Sequence, residues 1–165
     1  GFTEMQIART SALNTIAGAL GCIVGGLLAD RFGIRRMLGI YYILSTLPGL
    51  VLATYIPNVG LLAVPAEIVY STLIIHGFLY GMAFGTHAAV FMGMTNPAVA
   101  ATQFTAFMAL GNVVISYTNY WQGIVAEKID YAMVLYVDAL LIIPPLLLIP
   151  FLRTREEELQ PATSS

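Results

Sequence analysis

Residues 68–126 read IVYSTLIIHGFLYGMAFGTHAAVFMGMTNPAVAATQFTAFMALGNVVISYTNYWQGIVA, without one Lys, Arg, Asp or Glu. A membrane-spanning helix needs roughly 20 predominantly apolar residues, so this stretch holds two spans. Met37 to Ala66 is also free of charge and holds a third. The rest of the chain agrees. Of 165 residues, 58% are hydrophobic and only 10% charged, with a mean hydropathy of +0.82, whereas a soluble domain carries about a quarter charged residues. A water-soluble enzyme, a nucleic-acid binder and a disordered tail are all excluded, which leaves an all-α, polytopic membrane protein.

Smaller features narrow the class. The net charge is −2 and no basic run exceeds Arg35-Arg36, so no nucleic-acid footprint is present. Cys22 is the single cysteine, and no Cys/His cluster has metal-ligand spacing. No metal or other cofactor is expected. The apolar segments are too many and too long for a cleaved signal peptide. Gly1 in place of Met suggests a piece of a longer chain.

Five spans are expected, at about 10–29, 37–56, 64–94, 98–126 and 131–152, followed by a polar tail over 153–165. The first ends at Asp30 and the second at Pro57-Asn58-Val59-Gly60. Asn96 followed by Pro97 reads as an N-cap with proline in the first turn. Glu127-Lys128-Ile129-Asp130 forms a short polar turn. Pro144, Pro145 and Pro150 should bend the fifth span.

The placement of bases gives an orientation. Arg31, Arg35 and Arg36 share the first loop, while Arg153 and Arg155 follow the last span. Four crossings separate these clusters, so both fall on the cytoplasmic side, with the carboxyl terminus. The amino terminus is then outside, as it would be if one helix preceded it. The helices also differ in kind. Gly18, Gly21, Gly25 and Gly26 mark the first, Gly77, Gly81 and Gly85 the third, and Ala101, Thr105 and Ala109 the fourth. Such small-residue rows let backbones approach where no hydrophobic force joins helices in lipid. The first, third and fourth spans are therefore expected to be packed or cavity-facing, and the second and fifth to face lipid.

The loop Gly26-Leu27-Leu28-Ala29-Asp30-Arg31-Phe32-Gly33-Ile34-Arg35-Arg36-Met37-Leu38 combines close-packing glycine, an acid, a turn glycine and three bases. It resembles the signature loop of the major facilitator superfamily, Gly-x-Leu-Ala-Asp-Arg-x-Gly-Arg-Lys-x-x-Leu, with Ile34 where that pattern has a base. In the family this loop joins the second and third helices of each six-helix half and latches the two halves during alternating access. The resemblance therefore implies gating roles for Gly26, Asp30, Arg31, Gly33, Arg35 and Arg36. Physically, Gly26 would permit close helix contact, Asp30 would meet a neighbouring helix dipole, and Gly33 would permit a tight turn.

A second resemblance covers residues 80–126. Tyr80-Gly81-Met82-Ala83-Phe84-Gly85, then Thr95-Asn96-Pro97 and Ala101-Thr102-Gln103-Phe104, are similar to the tenth and eleventh helices of the muropeptide permease and acetyl-CoA transporter branch. Gly111-Asn112 stands where relatives have Gly-Arg, and His76 where some have an acid. On this resemblance the chain holds helices eight to twelve of twelve. Residues 1–152 form a partial carboxy-terminal bundle, residues 1–8 end an outer loop, and the amino-terminal half is missing. The implied location is a bacterial inner membrane.

Polar groups at membrane depth are functional candidates. His76 and His87 are eleven residues apart, on one helix face with Tyr80. Each histidine either binds substrate or relays protons, or is neutral and bonded to another helix. Thr105, Asn112, Ser116 and Asn119 form a stripe on the fourth span, either meeting substrate or joining helices. Trp121 reads as an interfacial anchor, with Gln122 beside it, and Glu67 as interfacial. Asp138, two turns into the fifth span, needs a partner or a proton, and a structural hydrogen bond is preferred over a coupling role.

These readings lead to a secondary transporter working by alternating access. The resemblance implies proton coupling and a small polar or amphiphilic solute such as a muropeptide, peptide or acyl-CoA-like molecule. The partners are the lipid bilayer, the missing half, the solute and protons. A five-span structural or assembly subunit is the alternative. An intramembrane enzyme is weaker, because the two histidines lie about 16 Å apart along a helix, too far for one centre.

Overall fold

The computed structural model describes residues 3–60 and 63–152, all of whose regular elements are helical. Helix α1 covers Glu4–Phe32, α2 Ile34–Val59, α3 Ala66–Met94 and α4 Ala100–Lys128. A short 3-10 turn, Pro97–Val99, leads into α4, and the last span is divided into α5, Tyr131–Leu140, and α6, Ile143–Leu148. Among the described residues, five helical stretches are long and apolar enough to cross a membrane. At 1.5 Å per residue, the 29 residues of α1 reach about 43 Å, more than the hydrocarbon thickness. The tail bases Arg153 and Arg155 lie outside the described residues.

Local chemistry sets the boundaries. Residues 4–8, expected in a loop, are helical, because Thr3 and Gln6 form a reciprocal capping box that starts α1. At its other end α1 gives way to α2 through Gly33 alone, at φ 96° and ψ 126°. The Gly33 N–H donates to the Ala29 carbonyl at 2.9 Å and its carbonyl accepts from Met37 N at 3.1 Å. A residue with a β-carbon is disfavoured at this positive φ, so glycine is what makes a one-residue reversal possible. Asn96 caps its turn as expected, its side chain accepting from Ala98 N. Gln103 reaches back to accept from Asn96 N at 2.6 Å. The fifth span breaks at Leu141–Ile142, just before Pro144 and Pro145, where the missing proline N–H groups interrupt the helical ladder.

Helices α1 and α3 run parallel and form the most extensive helix pair. Gly18 faces Gly77 and Gly81, Gly21 faces Phe78, and Gly85 faces Cys22, so the two glycine rows interlock. Helix α2 lies antiparallel to both and contributes Leu38, Tyr41, Ala53 and Ile56 to the buried residues. Tyr41 packs with Met82 and Ala83 near the Gly33 turn. Toward the other end, Ile56 packs with Val64 and with Ala132 of α5.

Three expectations are corrected here. Helix α2 is not a peripheral, lipid-facing element, since it packs on α1, α3 and α5. Its Tyr41 and Ala53 are almost fully enclosed. For helix α4, expected to be packed or cavity-facing, the packed alternative is corrected: it buries no residue, its row Ala101, Thr105 and Ala109 is exposed, and it instead faces a cavity through Phe107 and Asn112. Gly26 makes no close helix contact, for a β-carbon added there meets nothing within 4 Å; Gly21 and Gly25 perform that role.

Candidate functional site

Helix α3 carries a ladder of rings on one face. His76 stacks on Tyr80 with centroids 6.0 Å apart and planes 13° apart, and Tyr80 stacks on Phe84 at 6.2 Å. Farther along, His87 meets Phe91 edge-on at 4.2 Å, and Phe91 lies 5.1 Å from Phe107 of α4. The four-residue spacing of 76, 80 and 84 places these rings one above another. Helices α3 and α4 otherwise touch little, and a cleft of about 400 Å³ opens between them. Tyr80, Phe84, His87, Phe91, Phe107 and Asn112 line it. A largely apolar wall with a few convergent polar groups is the usual makeup of a small-molecule site.

His87 is held from the opposite side. Tyr42 of α2 places its Oη 3.4 Å from His87 Nδ1, with the two rings in an edge arrangement. The phenol donates to Nδ1 when the imidazole proton is on Nε2. The ring is thus attached to α2 while its edge borders the cleft.

His76 faces a different space. It borders a cavity of about 150 Å³ among α2, α3 and α5, together with Ser45, Thr46, Thr72 and Asp138. Asp138 has the partner that its depth demands: Gln122 Nε2 of α4 donates to Asp138 Oδ1 at 2.9 Å. Helix α5 is not a bystander, since it packs on α2 and α4.

At the end of the bundle, Asp30, Arg31 and Arg36 are exposed around the Gly33 turn, and Arg35 is half-buried. The Arg31 guanidinium carbon sits 5.5 Å from the centroid of the Phe32 ring.

The predicted site residues thus fall into separate places. Tyr80, His87 and Asn112 share the α3–α4 cleft, whereas His76 and Asp138 share the smaller cavity. Ser116 and Asn119 are exposed on α4 and border neither. Thr105 directs its hydroxyl to the Ala101 carbonyl of its own helix at 2.8 Å. Sequence reasoning missed Tyr42, and it missed the bond from Gln122 to Asp138. A tyrosine beside Tyr41 on a span assigned to lipid gave no signal, but Gln122 and Asp138 could have been paired, since each lies about two helical turns from the turn joining two adjacent antiparallel spans. Among the described residues, no group of three or more His, Cys, Asp or Glu could hold a metal.

Comparison with protein-family models, curated proteins and solved structures found no match to this chain.

Proposed function

We propose that the chain is part of a secondary transporter of the major facilitator type, contributing helices eight to twelve and moving a small polar or amphiphilic solute by alternating access. The observation that carries this reading is the α3–α4 cleft. Its volume of about 400 Å³, aromatic wall and placement of His87 and Asn112 suit a solute with both ring or acyl surface and hydrogen-bonding groups. Helix α4 supports it further. This helix leaves Asn112, Ser116 and Asn119 exposed, and amides facing hydrocarbon are costly. More helices covering that face, as in a two-half transporter, would place the stripe on a polar pathway. The Gly33 turn, with Asp30, Arg31, Arg35 and Arg36 around it, supplies the gate. The arginine side is then cytoplasmic, in a bacterial inner membrane, and a proton gradient drives the cycle.

The test is uptake by proteoliposomes containing the whole gene product, using labelled muropeptides, peptides and acyl-CoA-like solutes. Gradient-driven uptake that Asp30→Asn strongly slows, with membrane insertion intact, is the expected result. Asp30→Asn uptake equal to that of the unsubstituted protein would remove the gating role. Failure of every solute class to move would remove the transport reading.

A further inference from the structure

Asp138, an exposed residue of α5, borders two spaces, an open groove and a smaller cavity. One, of about 650 Å³, separates α4 from α5 and is bordered by Tyr117, Thr118, Trp121 and Pro144. The other, of about 150 Å³, lies among α2, α3 and α5 and contains His76. Among the described residues that line these spaces, Asp138 alone borders both. Gln122 pins Asp138 Oδ1 at 2.9 Å, leaving the second carboxyl oxygen to face its surroundings.

The groups around it are neutral. From α2 come the hydroxyls of Ser45 and Thr46, whose protons are committed to the carbonyls of Tyr42 and Ile43 at 2.9 and 2.8 Å. Their lone pairs remain for the cavity. Thr72 and His76 face it from α3, and Tyr117, Trp121 and Gln122 approach from α4. Among the described residues that line the two spaces, there is no Lys or Arg to neutralise a carboxylate. An uncompensated charge is expensive at this depth. One proton shared between Asp138 and His76 leaves the pair without net charge, whether it resides on oxygen or nitrogen.

We propose that Asp138 and His76 together form the proton-binding site that couples the gradient to transport. This rests on the transporter reading above. A proton arriving through the α4–α5 cavity binds the unpinned oxygen of Asp138, taking the pair from one negative charge to none. It then crosses the smaller cavity, about 150 Å³ and large enough for a water, by relay: the O–H bond at Asp138 breaks as a water in the cavity takes that proton, and the water gives up another as an N–H bond forms on the imidazole, leaving carboxylate and imidazolium at the same net charge. Protonated His76 lies stacked against Tyr80 at 6.0 Å, within range of a cation–π attraction. Tyr80 also lines the substrate cleft, so the proton's presence is felt where the solute binds. Gln122 is a positioning residue, orienting the carboxyl group.

The experiment follows the proton alone. Infrared difference spectra of the purified full chain, recorded across a pH titration, should show a protonated-carboxyl band that Asp138→Asn removes. His76→Gln should move the midpoint of that band by about tenfold in proton concentration, one pH unit. Gln122→Leu should shift the band's frequency, as loss of one hydrogen bond requires. Circular dichroism and elution volume confirm folding of each variant. In the unsubstituted protein, ring nitrogen NMR of His76 should report a change over the same pH interval as the band. A band that survives Asp138→Asn, a midpoint indifferent to His76→Gln, or unrelated intervals for carboxyl and imidazole would each overturn the site. Uptake separates the two ideas. Gradient-driven uptake unaffected by Asp138→Asn overturns the site and leaves the transporter reading standing. A coupled titration in a protein that moves no solute retains the proton-binding pair but overturns its coupling role together with that reading.

Discussion

Gly18 of α1 and Gly81 of α3 meet backbone to backbone, and a β-carbon built on Gly81 would overlap the Gly18 carbonyl. The contact repeats along the pair. A β-carbon on Gly25 would lie 2.6 Å from Met82 Cα, and one on Gly85 would lie 3.1 Å from the Cys22 carbonyl oxygen. Between helices in lipid, where burial from water contributes little, such close van der Waals packing is the main source of association.

Gly81→Ala should therefore force α1 and α3 apart and destabilise the bundle by about 3 kcal/mol, the upper end for overpacking. Gly111→Ala provides the contrast, because a β-carbon there meets nothing within 4 Å. It should be neutral or slightly stabilising. Thermal unfolding in detergent, followed by circular dichroism, checks both. Equal midpoints for the two variants would show that the glycine rows are not the contact that holds this pair.

The turn between α1 and α2 makes a different demand on glycine. Gly33 has open space around its α-carbon, so volume is not the constraint there; its φ of 96° is. Gly33→Ala should cost about 1–3 kcal/mol in backbone strain, whereas Gly39→Ala, with its nearest side-chain atom at an ordinary 3.6 Å, should be tolerated. The same unfolding measurement distinguishes them.

Most of the architecture is legible in residue order. Charge-free runs define the spans, Asn96-Pro97 marks the start of the fourth, and the proline cluster marks the break in the fifth. The identity of the packed faces is less legible. Rows of small residues mark α1, α3 and α4 alike, but spacing alone does not reveal that the α1 and α3 rows oppose each other while that of α4 opposes nothing in the described bundle. Tyr41 and Tyr42 show the same limit. Both occur on an apolar span that resembles a lipid-facing one, and only the three-dimensional approach of α2 to α1 and α3 gives each phenol its partner. Asp138 illustrates the converse: its depth alone requires a partner, but the identity of Gln122 follows from the antiparallel register of α4 and α5.

Tyr41 offers a clean measurement of a hydrogen bond inside this bundle. Its hydroxyl donates to the Gly25 carbonyl at 3.1 Å, and the residue is 1% exposed. Tyr41→Phe keeps the ring and removes that bond, so a loss of about 1 kcal/mol is expected. Tyr41→Ala also empties the space beside Met82 and Ala83 and should cost about 3–5 kcal/mol. If reversible unfolding gives equal losses for the two variants, packing of the ring contributes nothing measurable.

The contact between Tyr42 and His87 predicts a tautomer. With Oη 3.4 Å from Nδ1, the phenol donates only if Nδ1 carries a lone pair, which puts the proton of neutral His87 on Nε2. That proton is then available to an acceptor in the cleft lined by His87 and Asn112. Nitrogen-15 NMR of ring-labelled protein, at a pH where His87 is neutral, should show a pyridine-like Nδ1 and a pyrrole-like Nε2. Tyr42→Phe should move the populations toward a mixture, because nothing else in that contact then distinguishes the two nitrogens. A pyrrole-like Nδ1 in the unsubstituted protein would mean that Tyr42 accepts rather than donates, and that His87 offers the cleft an acceptor instead of a donor.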